Sequence, residues 1–158
     1  MNHTQILQLL RSGIWTDLGL FFVDIETEEE RPELPFVSRK FTSPYIHQPV
    51  SVTRTGDGDA MTSKQSSQPK MTLSLTVYAE SRDEALALCM KVKEWFTFVG
   101  EEYLASQDIV VVRAENVQDR TILLETDYEY RCGFDVVLRV THEMTRTDDF
   151  AETIGLNE

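Results

Sequence analysis

Apolar positions recur at two different periods along the chain, and the switches between them mark out its elements. In TQILQLLRSGIWTDL, Ile6, Leu9, Leu10, Ile14 and Leu18 fall at steps of three and four, with Thr4 as a candidate cap. The spacing predicts a helix over about residues 4–17, weakened or ended by Gly13. PFVSRKFTSPYI is rich in β-branched and aromatic residues and predicts a strand that ends near Pro44. MTLSLTVYAE alternates cleanly, with Met71, Leu73, Leu75 and Val77 on one face and Thr72, Ser74, Thr76 and Tyr78 on the other, as in a strand buried on one side. At Ser81 the period changes. SRDE reads as a capping box, with Ser81 accepting and Glu84 reaching back. Ala85, Leu88, Cys89, Val92, Trp95, Phe96 and Val99 then recur at helical steps, which predicts a helix over about 82–99 closed by Gly100. Trp95 and Phe96 lie on its apolar stripe and read as packing residues rather than a ligand pair. QDIVVVRAENVQD predicts a strand and a turn, and DRTILLETDYEYRCGFDVVLRVTHEM one or two more strands. In the last of these Phe134, Val136, Leu138 and Val140 alternate and would face the helix of Trp95 and Phe96. Gly133 marks a bulge or a close backbone approach there.

The polar stretches fall between these elements. FFVDIETEEERPELPF is acidic from Glu26 onward and broken by Pro32 and Pro35, so it reads as an exposed loop. From about Arg54 to Lys70 there is almost nothing to bury, which predicts a flexible loop or a long hairpin with a polar tip. After Met144 the text becomes a polar tail over about 145–158, with Phe150, Ile154 and Leu156 as apolar anchors. Nothing divides residues 1–158 into two domains. The order predicts an α+β fold: a mostly antiparallel sheet of about four to five strands packed against two helices on one face.

Charge narrows the function. With 27 acidic against 15 basic residues the net charge is −12, the wrong sign for a protein that grips nucleic acid by neutralising phosphates. A negative wall does suit a protein that lets a phosphate backbone pass unbound. No apolar run is long enough to span a membrane, and the start MNHTQILQLL lacks the pattern of a secretory signal, so the chain is expected to act where it is made, in a cytoplasm, or to leave by a route that needs no signal. Cys89 and Cys132 form no disulfide framework and read as buried thiols. His3, His47 and His142 sit in separate elements without a motif, TGDGDA lacks the spacing of a phosphate-binding loop, and no metal or cofactor is expected. The nearest thing to a catalytic constellation is Asp127 and Glu129, which share a strand face, with Asp135 beyond them. A metal nuclease wants a lysine near such carboxylates; this stretch has Arg131 and Arg139, and no lysine follows Lys93.

One ordered set of segments is more specific. MTLSLTVYAES, the amphipathic helix with its Trp-Phe pair, DIVVV, NVQDRT and YEYRCGFDVVLRV, preceded by RPELPFVSRKFTSP, resemble the tail-terminator or neck-terminator family of tailed bacteriophages over about residues 30–143. The family's Tyr-Glu-x-Arg-x-Gly-Phe-Asp signature corresponds to Tyr128, Glu129, Arg131, Gly133, Phe134 and Asp135. The resemblance implies a structural virion protein without catalytic residues. Such proteins form a ring, commonly a hexamer, that caps the tail tube, ends tail polymerisation and joins the tail to the head-side connector. The implied partners are copies of the chain itself, the tail tube protein, a head-completion or connector protein, and phage DNA that passes through the lumen without specific binding. The implied place is the head–tail junction of the virion, after synthesis in the host bacterial cytoplasm. Six copies at −12 carry about −72 in all, a repulsive field reaching roughly one Debye length, about 8 Å. Under this reading Asp127, Glu129 and Arg131, and in the polar segment Arg54, Lys64 and Lys70, are interface candidates, while Trp95, Phe96, Phe134, Val136 and Leu138 are core. The alternatives are another neck or head-completion ring protein, or a small metal-dependent enzyme using Asp127 and Glu129.

Overall fold

The computed structural model describes residues 1–27, 30–57 and 60–149. Phe150, Ile154 and Leu156 lie outside the described residues. Helix α1 (His3–Leu18) starts two residues earlier than a cap at Thr4 would set it, because Asn2 is the cap. Its Oδ1 accepts from the Gln5 N–H at 2.8 Å, and Gln5 Oε1 accepts from the Asn2 N–H at 2.9 Å. The helix passes straight through Gly13 and ends at Gly19, which takes the left-handed conformation at φ 66°. Gly13 is small for a packing reason: a Cβ there would sit 2.6 Å from the Trp95 ring and 2.7 Å from Tyr103.

Strands β1 (Phe21–Val23), β2 (Phe36–Ile46), β3 (Val50–Asp57), β4 (Ala60–Ser67) and β5 (Lys70–Ala79) follow. The acidic segment before β2 is tied down at two points. Asp24 pairs with Arg39 at 3.4 Å, and Glu26 accepts from Lys40 at 2.8 Å, which raises the lysine's pKa. Ser81 caps α2 (Arg82–Glu94) as expected, its Oγ accepting from the Glu84 N–H. The helix does not run on regularly to residue 99. A π-turn occupies Trp95–Val99, and a third helix, α3 (Glu101–Ser106), begins at once. The two-helix expectation fails because Gly100 is not a stop. It has φ −93° and ψ 2°, and it is a glycine because a Cβ would lie 2.7 Å from Trp95 Cζ2. The wider π-turn also shifts the phase of the helix: Val99, expected on the core stripe, is exposed. Strands β6 (Ile109–Ala114), β7 (Gln118–Asp119), β8 (Ile122–Leu124), β9 (Asp127–Val140) and β10 (His142–Asp149) complete the chain.

The strands form a seven-stranded sheet, ordered β1-β2-β5-β9-β6 with β7 and β8 also on β9, and a three-stranded sheet, ordered β10-β4-β3. The class is α+β as predicted, with more strands than predicted. Every described pair is antiparallel except β1–β2. The polar segment from Arg54 to Lys70 takes the hairpin form of its two expected forms, as β3 and β4. The polar stretch from residue 145 continues as strand β10 up to Asp149, paired to β4 from His142 onward, rather than as a tail. Thr145, Arg146 and Thr147 are exposed and the stretch has no apolar alternation, so no hydrophobic period announced it.

A single core lies between the helices and one face of the larger sheet. Ile6, Leu10 and Ile14 of α1 and Ala85, Cys89 and Val92 of α2 meet Leu73, Leu75 and Val77 of β5 and Phe134, Val136 and Leu138 of β9. Trp95 and Phe96 are fully buried, edge to face at 5.0 Å, and Phe96 meets Phe134 in the same way at 6.3 Å. The indole Nε1–H donates to Asp17 Oδ2 at 2.7 Å, and the Tyr103 hydroxyl donates to the Leu9 carbonyl at 2.9 Å, so α1 is joined to the π-turn and α3 by directional bonds as well as by burial. No described helix is long and apolar enough to cross a membrane. Asp17→Ala leaves the buried indole N–H without an acceptor and is expected to cost about 1–3 kcal/mol of unfolding free energy in urea titrations.

Candidate functional site

The signature strand β9 runs through the middle of the larger sheet, and its two faces do different work. Cys132, Phe134, Val136 and Leu138 point into the core. On the opposite face the register pairs Tyr78 with Arg131, Thr76 with Gly133 and Ser74 with Asp135, without a break from Lys70 to Ala79. There is therefore no bulge at Gly133. The close approach, the other expected form, is what is seen. Arg120, delivered by the turn after β7, lays its guanidinium across the strand at that point. It donates through Nη1 to Ser74 Oγ and Thr76 Oγ1 at 2.9 Å each and to the Leu75 carbonyl at 3.3 Å, and through Nη2 to Asp135 at 3.3 Å. A Cβ on residue 133 would meet the Leu75 carbonyl and sit 2.6 Å from Arg120 Nη1. The Gly-Phe-Asp part of the signature is thus one device: Gly133 makes room for Arg120, Asp135 pairs with it, and Phe134 holds the strand to the helices.

At the start of β9 a second cluster surrounds Tyr78, which stacks on Phe36 at 4.8 Å. The guanidinium carbons of Arg31 and Arg131 lie 5.5 and 5.3 Å from the Tyr78 ring centroid. Glu129 accepts from Arg31 at 3.0 Å, and its carboxylate lies 3.6 Å from Arg131 Nε. Glu129 and Arg131 keep only 16% and 22% of their side-chain surface, so both are engaged within their own chain, whereas Asp127 is exposed beside Tyr128 at the hairpin tip. A groove of about 500 Å3 opens here, with Leu34, Leu124 and Tyr128 among its walls.

The third feature is the smaller sheet. β3 follows β2, β4 precedes β5 and β10 follows β9, and the order β3-β4-β10 repeats the order β2-β5-β9. The three central strands of the larger sheet therefore continue outward as an arm. Arg54 and Lys64 are exposed on it, with Lys64 3.4 Å from Glu143, and Lys70 stands at its base directly opposite Arg139. Like charges directly opposed are unfavourable in a sheet unless an anion is near. A three-stranded ribbon with solvent on both faces has little burial to hold it.

The description phage neck terminator protein matches residues 4–158. The chain belongs to that family. A search of curated proteins returned no match. The family's structural role in the tail or neck of the virion accords with the chemistry of this neck terminator. Two of the three carboxylates that a metal-dependent reaction would use are paired, Glu129 with Arg31 and Asp135 with Arg120, while Asp127 is exposed at the β8–β9 tip. No cluster of three or more metal-ligating side chains occurs among the described residues. The buried thiols of Cys89 and Cys132 are unpaired, and burial pushes both pKa values up, that of Cys89 the further, which favours inert thiols over nucleophiles.

Sequence reasoning missed Arg120 and Tyr78 as organisers of the site. Arg120 was visible in NVQDRT, but nothing local says that a turn arginine will lie over a glycine 13 residues later. Gly133→Ala forces a Cβ into the Leu75 carbonyl and Arg120, and is expected to lower stability by about 1–3 kcal/mol in chemical denaturation. The two cysteines should resist alkylation in the native chain at mildly alkaline pH and react fully once it is unfolded, as a mass-resolved labelling time course would record.

Proposed function

We propose that the chain forms a ring, a hexamer, that caps the phage tail tube, ends its polymerisation and joins the tail to the head-side connector, with DNA moving through the lumen. The family match over residues 4–158 carries this reading. The arm supports it physically. Its strands expose both faces and the outer edges of β3 and β10, and a chain of this kind gains stability by handing such a ribbon to a neighbour. Arg54 and Lys64 on the arm and Lys70 at its base are positioned to take part in such a contact. Asp127, with exposed Leu123, Leu124 and Tyr128 at the β8–β9 tip, presents a separate surface suited to the tail tube or a head-side protein; Glu129 and Arg131 buttress it from behind.

The net charge of −12 fits a conduit that does not hold a polyanion. Mass photometry of the purified chain, alone and with isolated tail tubes, is expected to give a ring of six copies in at least one of the two conditions. Antibody-labelled electron micrographs of virions are expected to show signal at the head–tail junction. A chain that stays monomeric in both conditions, or label that lies elsewhere on the particle, removes the proposal.

A further inference from the structure

Two surfaces of this chain are built from large apolar side chains that no other part of the described chain covers; arginines flank the first, and carboxylates outnumber lysines around the second. The first is one face of the arm. Cross-strand partners in an antiparallel sheet project to the same side, and the side alternates at each residue. The register therefore sets Val52, Gln65 and Met144 in one row, and Arg54, Ser63 and Arg146 in the next row on the same face. Val50 extends this face toward the base. Val50, Val52 and Met144 are all exposed, and a shallow groove of about 450 Å3 runs between them and the arginines. In these rows the charged members are cationic, although the chain as a whole is strongly acidic.

The second surface is the outer side of α2 and the π-turn. Leu86, Met90 and Glu94 lie four residues apart on one ridge of the helix, and the π-turn continues it to Phe98 and Val99. Phe98 is 80% exposed, more than any other large apolar side chain among the described residues. Its position follows from the burial of Trp95 and Phe96 on the inner side of the same turn. Glu94, Glu101 and Glu102 are exposed close to it in the chain and outnumber Lys91 and Lys93 of the last turn of α2. An aromatic ring held out from a rigid helix, with carboxylates at its rim, has the composition of an interface anchor.

We propose that the arm of one copy lies across α2 and the π-turn of the next, with Phe98 seated between Val52 and Met144 and the arm arginines facing Glu94, Glu101 and Glu102. This rests on the ring reading above and names the contact that would build the ring. The two surfaces differ, so the contact is head to tail. Each copy uses its arm on one neighbour and offers its helix face to the other, and a repeated contact of this kind closes into a ring when the rotation permits. The other exposed aromatic pair, Trp15 and Phe21, has Arg11 in its surround and so carries the same sign as the arm face.

The test uses the full chain with Val52→Asp on the arm, Phe98→Ser on the helix face and Trp15→Ser on α1 as a control. All three side chains are exposed, so the unfolding midpoints should match that of the parent. Val52→Asp and Phe98→Ser should each weaken assembly by about tenfold or more, the loss expected when a central anchor is removed, while Trp15→Ser assembles as the parent does. Mixing the first two variants in equal amounts should give a heterodimer that grows no further, because one competent arm and one competent helix face remain between them. If the parent assembles and both variants assemble equally well, if the Trp15 control alone disrupts assembly, or if the mixture stays monomeric, the arm contact is wrong while the ring reading stands. A parent chain that is monomeric with and without tail tubes overturns both.

Discussion

The burial of one indole ring organises the helical half of this molecule. Trp95 is fully enclosed, and four neighbours are chosen to suit it. Gly13 and Gly100 lack the Cβ that would overlap the ring, Asp17 accepts its N–H, and Tyr103 closes the remaining side from α3. Trp95 and the adjacent Phe96 both turn inward, and at this point the helix widens from its regular period into the π-turn. The chain beyond Phe96 is rotated in consequence, and Phe98 and Val99 face solvent. A packing requirement in the core thus produces the most exposed aromatic ring of the described surface.

The sheet shows the same strands in two energetic settings. Over β2, β5 and β9 one face is covered by three helices, and the pairing is supported by burial of Val37, Leu73, Leu75, Val77, Phe134 and Val136. A few residues further along the same three ribbons, at β3, β4 and β10, that cover is gone and the strands hold Ser, Thr, Gln and charged side chains. Backbone pairing alone is close to neutral in water, because the unfolded chain makes the same bonds to solvent. Such an arm is an appendage whose stability belongs to an assembly, which is consistent with a neck protein that works as one part of a particle.

Charge in this molecule is used for construction. Arg120 ties β9 to β5 across Gly133, and Arg31 and Arg131 enclose Tyr78 and neutralise Glu129. A guanidinium with several acceptors at fixed angles locks neighbouring strands in register in a way that a lysine could not. Glu129 and Asp135, which looked available for chemistry in the linear sequence, are the counter-charges of these arginines, while Asp127 is exposed at the β8–β9 tip.

Sequence by itself determined what depends on local period and composition: α1, the cap of α2 at Ser81, the half-buried strand β5, the inward row of β9 and the α+β class. These are properties of neighbouring residues, and the hydrophobic effect reads them directly. It also carried the family, through the Tyr-Glu-x-Arg-x-Gly-Phe-Asp run. What only the tertiary structure decided depends on contacts between distant segments. Gly13 and Gly100 looked like helix breaks because a glycine carries no sign of which ring it accommodates. β10 looked like a tail because its stabilising partner is β4, a strand about 80 residues earlier with no apolar pattern of its own. Arg120 had no visible task until β5 and β9 were side by side. Phe98 became a surface residue only when Trp95, three residues before it, took the place in the core.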